Sequence, residues 1–294
     1  MDYEIFKNVI TERIMDFLPP IYGSMVPTIE EVTKVNEVKE ALVLKPGEEG
    51  LAMAMPMVYL DDMYELFAVE EDMDNMLRFI ANVFMSFTGS ISKEEFEVDF
   101  KDKLDSIFLC LINKERNHRL LQTLPHVDVL DMALIYRIIM RETADGLDMV
   151  LVTEDVLHEL GMTRQELHEL AIENTRRLFP PRIIEMCDHY CMVSNDRNMF
   201  GATAMVFEDT MKEAAEQVSS DTFYIIPCSI HEFIAVAEEE ADVEDLIKML
   251  AAGNMEVTLP KEILSNCIYR YDAAKETLKK IAGYCEQEVK NQRS

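Results

Sequence analysis

The chain has 294 residues, 49% hydrophobic and 29% charged, a balance that folds and a length that admits two domains. Its 56 acidic side chains against 28 basic ones give a net charge of -28, a field that repels nucleic-acid phosphates and anionic membranes alike. Residues 1–20 place Glu4, Lys7, Glu12, Arg13 and Asp16 among the apolar positions, which is no signal peptide, and every apolar run falls short of the ~20 residues that span a bilayer. The expectation is a cytoplasmic, soluble protein whose partner is another protein, with neither nucleic acid nor membrane bound.

Ile5, Phe6, Val9, Ile10, Ile14 and Phe17 recur at helical spacing, which predicts a helix over 2–18 that ends at Pro19-Pro20. Ile29, Val32, Val35, Val38 and Val43 alternate with polar residues and predict two strands joined at Asn36-Glu37. Gly47 and Gly50 then break the chain ahead of a third strand within 51–59. A helical stripe runs from Asp61-Asp62 through Phe84 to the Thr88-Gly89-Ser90 break. The acid-rich stretch after that break marks the domain boundary, giving an N-terminal domain over 1–92 and a C-terminal α+β domain over 93–294.

The second part opens with the apolar run Ile107–Ile112, read as strand or helix, and a polar helix-like segment over 113–122. Apolar runs over 129–140 and 147–152 flank Ala144-Asp145-Gly146, a hairpin signal. Thr153 starts a helix that Gly161 ends, and Thr163-Arg164-Gln165-Glu166 is a capping box for the next helix, which runs to Pro180-Pro181. Beyond it the sequence predicts strands at 191–193, 202–207, 222–226, 231–236 and 268–271 and helices at 209–218 and 242–252. The fold class expected is α+β: mixed, largely antiparallel sheets packed with helices, in two closely associated parts.

Blocks of residues carry a resemblance across nearly the whole chain. They include Asn113, Glu115-Arg116-Asn117, Pro125-His126, Asp131, Glu173-Asn174-Thr175 and Phe179-Pro180-Pro181. Phe200-Gly201-Ala202, Ser229-Ile230-His231-Glu232 and Tyr269-Arg270-Tyr271-Asp272 continue the series. In this order they resemble a bacterial family of unknown function common in gut clostridia, and the stretch from Gly161 onward also resembles a second uncharacterised family of bacilli. The resemblance implies no activity. It implies serine at the position of Cys228 and neither Cys187 nor Cys191, which counts against a cysteine-based function.

Most catalytic signatures are absent. Cys187, His189, Cys191, Cys228 and His231 are zinc-type side chains without the Cys-x-x-Cys spacing of a zinc site, so no metal is expected. His158, His168 and His231 each precede a glutamate but lack a second histidine four residues on. Neither a Gly-x-Ser-x-Gly elbow nor a glycine-rich phosphate loop occurs, so no nucleotide or other cofactor is expected. The 6 cysteines sit in apolar company and read as reduced thiols, and most of the 21 methionines read as core filler.

One dense cluster of cationic and amide groups remains, at 113–126. The candidate ligand-binding residues are Asn113, Glu115, Arg116, Asn117, His126 and Asp131. In one reading they are struts, with Asn113 capping the segment and His126 bonding a backbone group. In the other, Arg116, Asn117 and His126 converge on an anionic or amide ligand while Asp131 orients His126. The leading expectation for function is a non-catalytic interaction or accessory protein with an acidic surface. The alternative is a small hydrolase or transferase centred on Arg116, His126 and Asp131.

Overall fold

A computed structural model describes residues 1–46, 57–88, 100–143 and 146–285. The chain divides into two units, one drawn from residues 1–34 and 38–98, the other from 35–37 and 99–294.

In the first unit, helix α1 (Tyr3–Arg13) begins where the Asp2 carboxylate accepts the Ile5 N–H, an N-cap that satisfies one of the free amides of the first turn. It buries Phe6 and Ile10, and a 3-10 turn over Ile14–Phe17 adds Ile14. Strands β1 (Met25–Lys34), β2 (Glu37–Pro46) and β3 (Val58–Tyr59) form a sheet in that order. Most of the strand expected over 51–59 lies outside the described residues.

The helical stripe expected as one element from Asp61 is two helices, α2 (Leu60–Glu70) and α3 (Met73–Thr88). Between them Glu71 takes a left-handed φ of 52° and closes α2 onto the Phe67 carbonyl, while the Asp72 carboxylate accepts the Asn75 N–H to start α3. Leu42, Leu60, Leu77, Ile80 and Phe84 complete the core around Phe6 and Ile10.

The second unit contains two antiparallel sheets. In the four-stranded one, β6 (Met132–Thr143) is central. On one side it pairs with β4 (Ile107–Asn113), on the other first with β5 (His126–Val129) and then with β7 (Gly146–Leu151). Every residue of β4 is buried, so the apolar run at 107–112 is a strand covered on both faces. Its outer edge would leave amides without partners. The Leu109 N–H donates to the Thr175 hydroxyl and the Leu111 N–H to the Thr203 hydroxyl, which fills that edge from two other elements.

Helices α4 (Glu154–Leu160) and α5 (Arg164–Leu178) form as their caps predict. Thr153 accepts the Val156 N–H, Gly161 adopts φ 69°, and Thr163 and Glu166 close a reciprocal capping box. Next comes β8 (Pro181–Cys187), a strand that sequence reasoning missed because its Pro180-Pro181 approach reads as a stop. The second sheet has the order β13-β12-β10-β11-β9-β8, with β9 (Tyr190–Asn195), β10 (Thr222–Pro227), β11 (Phe233–Ala237), β12 (Cys267–Asp272) and β13 (Thr277–Gly283). Each of its pairings is antiparallel.

One face of this sheet shares a core with β4, β6, α5 and α6 (Glu208–Val218). On the other, Leu246 and Leu250 of α7 (Val243–Glu256) pack against Ile226, Val236 and Ile268. The strand expected at 202–207 is instead a 3-10 helix, Gly201–Val206. Its Thr203 hydroxyl serves β4, and Phe200 enters it in the left-handed region at φ 57°, geometry that a strand would not supply. The architecture is α+β.

Candidate functional site

The segment expected as a polar helix over 113–122 is a run of turns followed by a 3-10 turn at Leu120–Gln122. Amide side chains shape it. Asn113 ends β4, 7% exposed; its Oδ1 accepts the Arg116 N–H (2.8 Å) and its Nδ2 donates to the Leu264 carbonyl (3.1 Å). Asn117, 1% exposed, donates to the Asn113 carbonyl and the Asn36 Oδ1 and accepts the Asn36 N–H at 2.7 Å. Asn36 in turn donates to the carbonyls of Lys261 and Ile263. These three amides, Asn113 and Asn117 buried and Asn36 half-buried, form one hydrogen-bonded network that ties the 113–117 turn to the 261–264 segment.

The other candidates diverge from it. Glu115 is exposed, and its carbonyl receives the His118 N–H. Arg116 is half-buried. His126 opens β5 with Nδ1 on the Leu124 carbonyl at 2.9 Å, so that nitrogen carries the proton, and Nε2 lies 3.8 Å from Asp128. Asp131 takes the Ser265 hydroxyl on one oxygen and the Tyr269 hydroxyl on the other, both at 2.8 Å. Burial, then the charge of Asp131, pushes the Tyr269 hydroxyl far up, so it remains a donor. The structure thus joins Asn113 to Asn117, and the partners of His126 and Asp131 are other than each other.

A second constellation escaped sequence reasoning. The Phe200 N–H donates to His231 Nδ1 (3.1 Å), and His231 Nε2 lies 3.6 Å from Glu262 Oε1. The Ser194 hydroxyl donates to the His231 carbonyl at 2.9 Å, and the Ser229 hydroxyl, which accepts the His231 N–H, donates to Glu232. Phe200-Gly201 and Ser229–Glu232 are blocks of the resemblance, but nothing in either predicts a bond from a backbone amide of one to a ring nitrogen of the other.

Of the cysteine and histidine groups weighed as zinc ligands, Cys187 and His189 share one stretch of surface, while Cys191 is buried and His231 faces the Phe200 amide. Burial pushes the Cys191 thiol up to about 11 and, with Glu232 adding to it, the Cys228 thiol up to about 12. His189 places Nδ1 on the Val218 carbonyl. Among the described residues, no three histidine, cysteine, aspartate or glutamate side chains are placed so that they could hold a metal ion.

Concave surface lies elsewhere. An open hollow of about 600 Å³ sits between the β8–β9 turn and α6, lined by Glu185, Cys187, Asp188, His189, Glu213 and Glu216, with no lysine or arginine among the described residues on its wall. A hollow of about 490 Å³ adjoins it, shares Glu216 and Ser219, and includes Lys212 and Asp221. None of the six sequence-predicted residues lines either.

What these features define is an α+β protein with an acid-lined surface hollow and, apart from it, a hydrogen-bonded cluster of amide side chains. The chain matches the model of a family of unknown function, DUF5688, over residues 3–192 and 188–273, and belongs to that family. No curated protein and no solved structure matches it. Among the described residues no helix is long and apolar enough to cross a membrane.

Proposed function

We propose that this is a cytoplasmic bacterial accessory protein, of a kind found in gut clostridia, that acts by binding another protein without catalysis. A lysine- or arginine-rich segment of that partner seats in the hollow between the β8–β9 turn and α6. The observation that carries this reading is the wall itself: Glu185, Asp188, Glu213 and Glu216 around about 600 Å³, with no lysine or arginine among the described residues that line it. In a chain of net charge -28 such a surface favours a basic partner and speeds its approach, and it disfavours DNA and RNA.

The candidates Asn113, Glu115, Arg116, Asn117, His126 and Asp131 are proposed as struts of the fold. A hydrolase or transferase built on Arg116, His126 and Asp131 has weaker support, because the carboxylate of Asp131 and the Nδ1 of His126 are engaged by Ser265, Tyr269 and Leu124. The two-domain reading, 1–92 and 93–294, is likewise proposed; its boundary lies outside the described residues.

The test is titration of the full chain with a lysine-rich and a glutamate-rich peptide, followed by the amide resonances of residues 185–189 and 213–219. The lysine-rich peptide is expected to shift them, and Glu213→Gln with Glu216→Gln to weaken binding at least ~5-fold at low salt. Equal response to both peptides, or shifts elsewhere only, ends this reading.

A further inference from the structure

Two segments distant in sequence meet at one hydrogen bond: the turn 195–200 after β9, and the turn 228–232 between β10 and β11. The Phe200 N–H donates to His231 Nδ1 across 3.1 Å. A ring nitrogen that accepts a hydrogen bond carries no proton, so the imidazole here is the neutral form with its hydrogen on Nε2. We infer that His231 is a proton-operated latch on the 195–201 turn, closed while the ring is neutral and released when it becomes an imidazolium.

The turn needs a latch. Phe200 sits at φ 57°, a left-handed conformation that costs a non-glycine residue energy and persists only when neighbours impose it. The neighbours are close. The Ser194 hydroxyl donates to the His231 carbonyl, the Ala202 N–H reaches the Ile230 carbonyl, and a Cβ on Gly201 would fall 2.4 Å from the His231 carbonyl oxygen. Inside the turn, the Asn195 side chain accepts the N–H groups of Arg197 and Met199 and donates to the Met199 carbonyl. Those bonds shape the loop. The bond to His231 is the one that responds to a proton.

A proton can reach it, because the His231 side chain is 23% exposed. Charged groups of both signs surround the ring. Glu262, on the 260–262 turn, has Oε1 3.6 Å from Nε2, and Glu232 on the ring's own turn holds Ser229. Against them stands Arg137 of β6, whose guanidinium lies 5.3 Å over the Phe200 ring. Arg197, farther along the loop, is paired with Glu142. Protonation puts a hydrogen on Nδ1 that points at the Phe200 N–H. Two donors then face each other, the bond is lost, and the imidazolium is drawn to Glu262. Phe200 loses the contact that holds its backbone, and the loop lifts from Phe108 and Phe179, against which its ring now packs at 5.5 and 6.2 Å. The latch is therefore present above the histidine range and lost as pH falls through it.

The experiment is NMR on the full chain between about pH 7.5 and 5.5, the interval over which a histidine changes charge, reading the ring nitrogens of His231 and hydrogen exchange at the Phe200 amide. At the upper end the ring is expected as the neutral Nε2–H tautomer with the Phe200 amide protected. On acidification, Phe200 protection relative to the Leu167 amide is expected to fall by up to about tenfold per pH unit, the limit for one proton. His231→Asn, whose side-chain oxygen replaces Nδ1 and takes no proton, is expected to hold that ratio flat. Glu262→Gln is expected to move the midpoint to lower pH, and it decides the matter alone if the asparagine variant does not fold. Unchanged Phe200 protection while His231 titrates, an Nδ1–H tautomer at the upper end, or an unmoved midpoint in Glu262→Gln would overturn the latch.

Discussion

Two glycines show how one substitution changes sign with its surroundings. A Cβ at Gly201 would meet the His231 carbonyl oxygen at 2.4 Å and the Ser194 Cα at 2.6 Å, both backbone atoms with no rotamer to yield. Gly201→Ala is expected to cost roughly 1 to 3 kcal/mol, as overpacking against a fixed backbone does. At Gly253, inside α7, nothing lies within 4 Å of the same atom. Gly253→Ala is expected to stabilise by roughly 0.5 to 1 kcal/mol, since alanine loses less backbone freedom in a helix. Urea titration of both variants checks the pair, and equal shifts would refute the packing argument. The residue scale is also where sequence reading stopped. Asn113 and Asn117 are visible as a cluster, but their partner Asn36 is 81 positions away from Asn117 and carries no signature that would pair it.

Helix ends were the most legible elements, because capping is local chemistry: Thr153, Gly161, Thr163 and Glu166 mark both boundaries of α4 and the start of α5. The break between α2 and α3 was hidden, because it falls at Glu71 without glycine or proline. The strand expected at 202–207 was misread because small and β-branched residues suit either state until Thr203 is seen to reach β4. Tertiary need overrides the local pattern there. The same edge supplies a test. Thr175→Val keeps the shape of the side chain and leaves the Leu109 N–H without an acceptor in a buried place. A loss of about 1 to 3 kcal/mol is expected, read as a drop in Tm of about 2 to 4 °C per kcal/mol. An unchanged Tm would show that the edge is satisfied in another way.

For the molecule as a whole, the excess of carboxylates sets how it meets acid. Most exposed ion pairs here are individually small terms. Among the more sheltered ones, Arg270 holds Glu238 through both carboxylate oxygens, and that bond first, then further hydrogen bonds, keeps the Glu238 carboxyl below its usual value. A depressed carboxyl stabilises the fold above its unfolded value and loses that contribution as pH falls through the folded one. Arg270→Gln is therefore expected to shift the acid unfolding midpoint upward in pH and to cost about 1 kcal/mol at neutral pH, while leaving the slope above pH ~6 unchanged. Circular dichroism against pH measures both. The long-range arrangement of β4 against Thr175 and Thr203 has a further consequence at this scale. The hydroxyls quiet that strand only while α5 and the 201–206 turn stay in place. Once either peels back, seven consecutive buried residues from Ile107 to Asn113 present an unzipped margin to any neighbouring molecule, so damage begun inside one copy becomes adhesion between copies.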